Sequence, residues 1–325
     1  MAKDSELRPK LLVTRRLPPA VTDRLNATYD AVSNPDDHIM SADEIIEKAK
    51  GKDALVVTPA DKVNAALIER LPGSVMMIAT FSVGYEHIDL EAAKKRGLPV
   101  SNTPDVLTDA TADITLLLML GAARRIYEGE RAVREAAWKS WSTTYMLGIH
   151  MTGKRLGIFG MGRIGQAVAK RARAFDMEIH YSNRRRLPAD LEQGATFHAD
   201  PEALLTVSDF FSINAPASAE TFHWLNAARI AKLPDNAIVI NTARGTLVDD
   251  AALIAALRSG KLFSAGLDVF ENEPNLNPAY RELQNVFLLP HLGSATVDTR
   301  NAMGFKALDN LDAFFAGKPL LDRVV

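Results

Sequence analysis

The 325-residue chain predicts an α/β protein of two doubly wound parallel-sheet domains, one inserted into the other. Three observations carry this. Short apolar or β-branched runs alternate with helical patterns from the N-terminus to about Asn102, a second alternating series begins at Arg155, and a glycine-rich turn opens that second series. Alternation of strand and helix implies a parallel sheet covered on both faces, and a chain of this length exceeds what one core usually organises.

In the first series the strands are "KLLVT", "ALVVT", "VMMIAT" and "PVSN", separated by the helical patterns "PAVTDRLNATY", "SADEIIEKA", "VNAALIERL" and "DLEAAKKRG". This part reads as a flavodoxin-like domain over residues 1–102. A long apolar helix from Ala110 to about Arg134 follows, and then the tryptophan-containing stretch "AAWKSWSTTYMLGIH". Six strands come next: "RLGIFG", "EIHYS", "DFFSINA", "NAIVINTA", "SAGLDVF" and "NVFLLPH". Six is the number in a doubly wound nucleotide-binding sheet. After His291, "LGSATVDTRNAMGFKALDNLDAFFAG" reads as one amphipathic helix. It is expected to return to the first domain, so residues 294–325 join residues 1–102 and residues 103–293 form the insert.

Composition excludes several classes. Hydrophobic residues make up 47% and charged residues 24%, with a net charge of -2 and no long block of one sign, so neither nucleic acid nor a membrane surface is an expected partner. The N-terminus lacks the apolar core of a signal peptide and no run is long enough to span a bilayer, which places the protein in the cytoplasm as an expectation. Without cysteine there is no disulfide, thiolate metal site or thiol nucleophile, and no metal site is expected.

In "GIFGMGRIG" the glycines Gly160, Gly162 and Gly165 have the G-x-G-x-x-G spacing, directly after a strand and opening a helix. The first permits the tight turn, the second close approach of backbone to a pyrophosphate, and the third close packing of helix on sheet. This predicts a Rossmann dinucleotide-binding domain. About 20 residues on, an NAD site would place an acid on the ribose 2'-hydroxyl. Here stand Ser182, Asn183, Arg184, Arg185 and Arg186. A carboxylate would repel a 2'-phosphate and a guanidinium binds it, so the expected cofactor is NADPH, with NADH possible; the alternative is that the three arginines are a solvated loop before Pro188.

Three further segments end predicted strands: "NTARGTLVD", "GLDVFENEP" and "LLPHLGSAT". Ligands in doubly wound sheets lie beyond the carboxyl ends of strands, which puts Arg244, Asp268, Glu273 and His291 on the relevant edge. Reducing a 2-oxo acid requires a cation for its carboxylate, an acid for its carbonyl oxygen and a hydride source nearby. Arg244 and His291 suit the first two needs, and Glu273 could orient His291 and favour its protonated form. Each also admits a bland reading: a surface arginine, a turn carboxylate before Pro274, a helix-end histidine.

Together these motifs, over nearly the whole chain, resemble the D-isomer-specific 2-hydroxyacid dehydrogenases, most closely their glyoxylate/hydroxypyruvate reductase branch. The resemblance implies Arg244, Glu273 and His291 as the catalytic set and Asp268 beside the nicotinamide carboxamide. It assigns Met161, Gly162, Arg163 and Ile164 to the pyrophosphate, and Asn183, Arg184 and Arg185 to the adenosine 2'-phosphate. Thr242 and Ala243 would border the nicotinamide, with Gly293 and Ser294 close to it. In "FSVGYEHID" the N–H groups of Val83 and Gly84 would bind the substrate carboxylate with Arg244. "WKSWSTTYMLG" is similar to the branch's dimer arm, implying a homodimer in which Trp141 reaches the partner's active site. One departure is "NAPASAET", where the family usually has P-L-T-P-E-T; Ala217 and Ala219 remove bulk from a loop bordering the cofactor.

The expectation is therefore an NADPH-preferring reductase of small 2-oxo acids such as glyoxylate, hydroxypyruvate and 2-ketogluconate. A 3-phosphoglycerate dehydrogenase-like enzyme and a nucleotide-sensing scaffold or corepressor on the same fold are the alternatives.

Overall fold

The structure, a computed structural model, describes residues 8–325. The chain divides into two compact units, one running to Leu107 and resuming over Ala295–Val325, the other comprising Thr108–Ser294.

In the first unit the chain forms strands β1 (Lys10–Val13), β2 (Asp30–Val32), β3 (Ala54–Val57), β4 (Met77–Thr80) and β5 (Val100–Ser101). Between them lie helices α1 (Pro19–Thr28), α2 (Ala42–Lys48), α3 (Ala65–Arg70) and α4 (Leu90–Arg96). All neighbouring pairs are parallel, in the order β2-β1-β3-β4-β5, which is the flavodoxin-like arrangement. Alternation along the strands builds two cores: Leu11, Val13, Met77 and Ala79 face one side, Leu12, Leu55 and Ile78 the other. The helix starts follow from sequence, since Ser41, Asn64 and Asp89 cap α2, α3 and α4 by accepting first-turn N–H groups. Strand β2 was not legible as a strand: it is three residues long, none of them buried, and pairs only along one edge.

The second unit opens with α5 (Thr108–Ala123) and α6 (Ile126–Arg134). A single helix to Arg134 is expected from the apolar pattern, but it breaks at Arg125, whose φ of 53° is left-handed. A paired hydrogen bond from the Arg125 guanidinium to Glu128, at 2.8 and 2.7 Å, holds that turn. Seven strands follow: β6 (Arg155–Phe159), β7 (Glu178–Ser182), β8 (Thr196–Phe197), β9 (Phe210–Ile213), β10 (Ala237–Asn241), β11 (Leu262–Leu267) and β12 (Val286–Leu288). Helices α7 (Arg163–Arg173), α8 (Ala189–Glu192), α9 (Pro201–Thr206), α10 (Ala227–Ile230) and α11 (Asp250–Ser259) connect them. The sheet is parallel throughout, in the order β12-β11-β10-β9-β6-β7-β8. The six expected strands are present, and the two-residue edge strand β8 is added. Strand order reverses between β6 and β9, and Gly160 follows the first of these directly.

The last helix, α12 (Val297–Phe315), belongs to the first unit, where it packs against α1. Arg24 on α1 donates to Asp309 and Asp312 on α12, at 2.6 Å each. No helix among the described residues is long and apolar enough to cross a membrane. No cluster of metal-ligating side chains occurs among them either.

Candidate active site

The second unit gathers its polar groups at the carboxyl ends of β6, β7, β10, β11 and β12. At the end of β6 the three glycines have separate steric reasons. A Cβ on Gly160, whose φ is 96°, would lie 2.5 Å from the Ala215 backbone nitrogen, and one on Gly165 would lie 2.6 Å from the Gly160 carbonyl oxygen. Gly162 differs: a Cβ there would meet nothing within 4 Å. It caps α7 without a side chain, and α7 has no acid in its first turn and three cations, Lys170, Arg171 and Arg173, in its last. The N–H groups and dipole of this helix end thus suit an anion. The donor set fits a dinucleotide pyrophosphate at Gly162, Arg163 and Ile164.

Past β7 the arginines part company. Arg186 is bound to Glu192 through Nε at 2.8 Å and Nη2 at 3.0 Å, while Glu192 also accepts the Tyr181 hydroxyl at 2.5 Å. Arg184 and Arg185 are exposed and carry no ion pair among the described residues. Asn183 is joined to the glycine turn: its Oδ1 accepts the Met161 N–H at 2.6 Å and its Nδ2 donates to Met161 O at 3.3 Å. Both residues therefore hold the cradle's shape, a role the spacing did not reveal.

At the end of β10, Asn241 organises the "NTARG" turn. Its Oδ1 accepts the Ala243 N–H at 3.0 Å and its Nδ2 donates to the Arg244 carbonyl at 2.9 Å. The Arg244 guanidinium donates to Ala243 O at 2.7 Å. Thr242 is buried, its hydroxyl 2.9 Å from that of Thr115 on α5.

The loops after β11 and β12 are locked together by Asp268, which is 1% exposed. Its carboxylate accepts the N–H of Leu292 at 2.6 Å and of Gly293 at 2.7 Å, and its carbonyl accepts the His291 N–H at 2.9 Å. Burial pushes the Asp268 carboxyl above its ordinary range, and the two N–H bonds only partly offset this. Thr111 of α5 donates to Gly293 O at 3.1 Å, so that helix braces the loop after β12; its threonines were the available signal, submerged in an apolar pattern.

Glu273 and His291 meet here. Nδ1 of His291 lies 2.7 Å from Oε2 of Glu273, whose other oxygen accepts the Phe270 N–H at 2.8 Å. The side chains are 33% (Glu273) and 42% (His291) exposed. Partial burial pushes Glu273 upward, yet the hydrogen bond and charge of His291, the Phe270 N–H and the Arg244 charge together hold its carboxyl below the usual range. A second pair, His223 with Glu271 at 3.2 Å, lies on adjoining loops.

In the first unit, the loop after β4 presents Val83 and Gly84, both partly exposed. Their carbonyls are engaged, Val83 O by Asn102 and Gly84 O by Ser82. Trp141, in the second unit, is 78% exposed.

Comparison with known proteins gives the family to which the chain belongs. Residues 116–293 match the family model for the D-isomer specific 2-hydroxyacid dehydrogenase, NAD binding domain. The chain is 46% identical over 310 residues to a glycerate dehydrogenase of Hyphomicrobium methylovorum, covering 95% of this chain and 96% of the relative. It is 43% identical over 316 residues to a glyoxylate reductase of Thermococcus litoralis, covering 96% and 95% respectively. Among solved structures, an NADPH-dependent glyoxylate/hydroxypyruvate reductase of Sinorhizobium meliloti, in complex with NADP and malonate, superposes with a TM-score of 0.89 at 35% identity, covering 98% of this chain and 97% of that one.

Proposed function

Because the chain belongs to the D-isomer-specific 2-hydroxyacid dehydrogenase family and is a nicotinamide-dependent oxidoreductase of that kind, we propose that it reduces glyoxylate and hydroxypyruvate to D-2-hydroxy acids, with NADPH the preferred cofactor. The observation that carries the reading is the Glu273–His291 pair on the strand-end edge that also bears Arg244 and the glycine cradle.

When bound, the nicotinamide supplies the hydride equivalent. The chain's own groups do the rest. Since Nδ1 of His291 faces Glu273, Nε2 is the nitrogen that gives its proton to the substrate carbonyl oxygen. Glu273 fixes the orientation of the ring through its contact with Nδ1. Arg244, its backbone set by Asn241, holds the substrate carboxylate and polarises the carbonyl. In the first unit, the N–H groups of Val83 and Gly84 are proposed as carboxylate donors.

Support for NADPH comes from β7, which ends in Ser182 where an NAD site would place an acid, followed by Arg184 and Arg185 without acidic partners among the described residues. The Sinorhizobium reductase is named as NADPH-dependent, in keeping with this. Glycerate is the reduced form of hydroxypyruvate, so the Hyphomicrobium relative's name and the reductases' names describe one type of reaction. The protein is further proposed to act as a homodimer, with Trp141 contributing to the neighbouring active site.

The test follows oxidation of NADPH and of NADH with glyoxylate, hydroxypyruvate, 2-ketogluconate, pyruvate and phosphohydroxypyruvate. Faster reduction of the first two with NADPH is the expected result. Activity confined to phosphohydroxypyruvate would indicate a 3-phosphoglycerate dehydrogenase, and inertness toward every 2-oxo acid would indicate a binding protein.

A further inference from the structure

Three consecutive carbonyls in the loop after β4 are each held by a different donor. The Thr103 N–H donates to Ser82 O at 2.9 Å, Asn102 Nδ2 to Val83 O at 2.8 Å, and the Ser82 hydroxyl to Gly84 O at 2.7 Å. In a trans peptide the N–H points opposite to the C=O across one plane. Fixing these oxygens therefore fixes the opposite direction for the N–H groups of Val83, Gly84 and Tyr85.

The hydroxyls have a forced order. Ser82 has one hydroxyl proton, engaged by Gly84 O, so in its 2.7 Å contact with Thr80 Oγ1 it must accept. The Thr80 proton then goes to Ser82, and Thr80 can only accept from His87 Nε2 at 3.0 Å, which must carry a hydrogen. The chain runs one way, from His87 through Thr80 and Ser82 to the Gly84 carbonyl. Thr80 is 0% and Ser82 5% exposed, so water does not compete for these bonds, and aligned bonds in a poorly solvated place strengthen one another.

We propose that Asn102, Thr80 and Ser82 are positioning residues that set the affinity of this loop for the carboxylate of a 2-oxo acid, an inference that rests on the functional reading assigning the Val83 and Gly84 N–H groups to that carboxylate. Asn102 acts most directly, because Val83 O and the Gly84 N–H belong to one peptide. Its bond both aims that N–H and draws electron density from it, making it a stronger donor. Thr80 and Ser82 act one peptide further along, by holding Gly84 O.

The experiment compares Asn102→Asp, Thr80→Val and Thr80→Ser. Asn102→Asp keeps the shape but cannot donate to Val83 O, and Thr80→Val keeps the shape without the hydroxyl. Asn102→Asp should raise KM for glyoxylate about tenfold, and Thr80→Val, in which Ser82 still donates to Gly84 O but loses its own donor, by a smaller factor of about threefold, both with kcat little changed, as expected when binding common to ground and transition states is weakened. Thr80→Ser, which restores the donor, should return KM to near wild type. The dissociation constant for NADPH, titrated by fluorescence, should stay the same in all three. A merely structural role would instead lower the thermal midpoint and degrade KM, kcat and cofactor affinity together, which overturns the proposal. Unchanged KM in Asn102→Asp and Thr80→Val, with an active wild type, overturns it as well. A wild type inert toward every 2-oxo acid would overturn the functional reading and this inference with it.

Discussion

The backbone of Phe270 passes so close to Gly245 that a Cβ on the glycine would sit 1.9 Å from the Phe270 carbonyl carbon. The clash is with main chain, which cannot rotate away. This approach seats the turn carrying Arg244 against the loop whose Phe270 N–H holds Glu273. Gly245→Ala should therefore displace Arg244 relative to Glu273 and cut turnover on the order of a hundredfold, as small misplacements of reacting groups do. Gly73→Ala, where a Cβ meets nothing within 4 Å, is the control and should stay within about 0.5 kcal/mol of wild type. Normal kinetics in Gly245→Ala would show that the two loops move independently.

Carbonyl reduction should decline as pH rises, because His291 must carry the proton it gives, and the reverse oxidation should climb. Glu273→Gln should slow both directions, since the carboxylate that orients the His291 ring is lost. Single-turnover rates equal to those of the wild type would refute the pairing. The same pair makes a statement about stability. The Glu273 carboxyl is depressed in the folded state, so its contribution is full above its unfolded pKa, about 4.3, and is lost as pH falls through the lower folded value. The stability gap between wild type and Glu273→Gln, read from urea midpoints, should thus be present at neutral pH and close in strong acid.

The three arginines should separate by function. Arg184→Ala/Arg185→Ala should weaken NADPH binding by about tenfold or more, through loss of charge-assisted contacts, and leave NADH nearly unaffected. Added salt should erode NADPH affinity more than NADH affinity. Arg186→Ala, by contrast, strips Glu192 of its paired hydrogen bond and should lower the thermal midpoint with the NADPH-to-NADH ratio unchanged. Equal loss of both cofactors in the double variant would mean that Arg184 and Arg185 do not read the 2'-phosphate.

Val133, Trp141 and Leu147 are 63%, 78% and 61% exposed within one short stretch of the second unit, more apolar surface than a lone chain usually leaves open. Sedimentation should find a dimer at assay concentrations. Trp141→Ala should keep that assembly while raising KM for the 2-oxo acid. A fully active monomer would eliminate the role of Trp141.

What the sequence determined by itself is whatever short-range pattern encodes. Alternating runs specified two parallel sheets, and the glycine spacing specified a turn into α7. The edge strands Asp30–Val32 and Thr196–Phe197 escaped because they are too short to show a period and owe their conformation to one neighbour each. The break at Arg125 escaped because apolar spacing continues through it, and only the bond to Glu128 marks the turn. Candidate site residues could be proposed from their motifs, and the pairing of Glu273 with His291 among them, but most of their other relations could not. That Asn183 binds the Met161 backbone, that Arg186 is engaged by Glu192 and that Asn102 holds Val83 were all decided by tertiary structure. The reason is physical: a side chain's hydrogen-bond partner depends on which strand ends the sheet order brings together, and strand order is a property of the packed cores, not of any local stretch of chain.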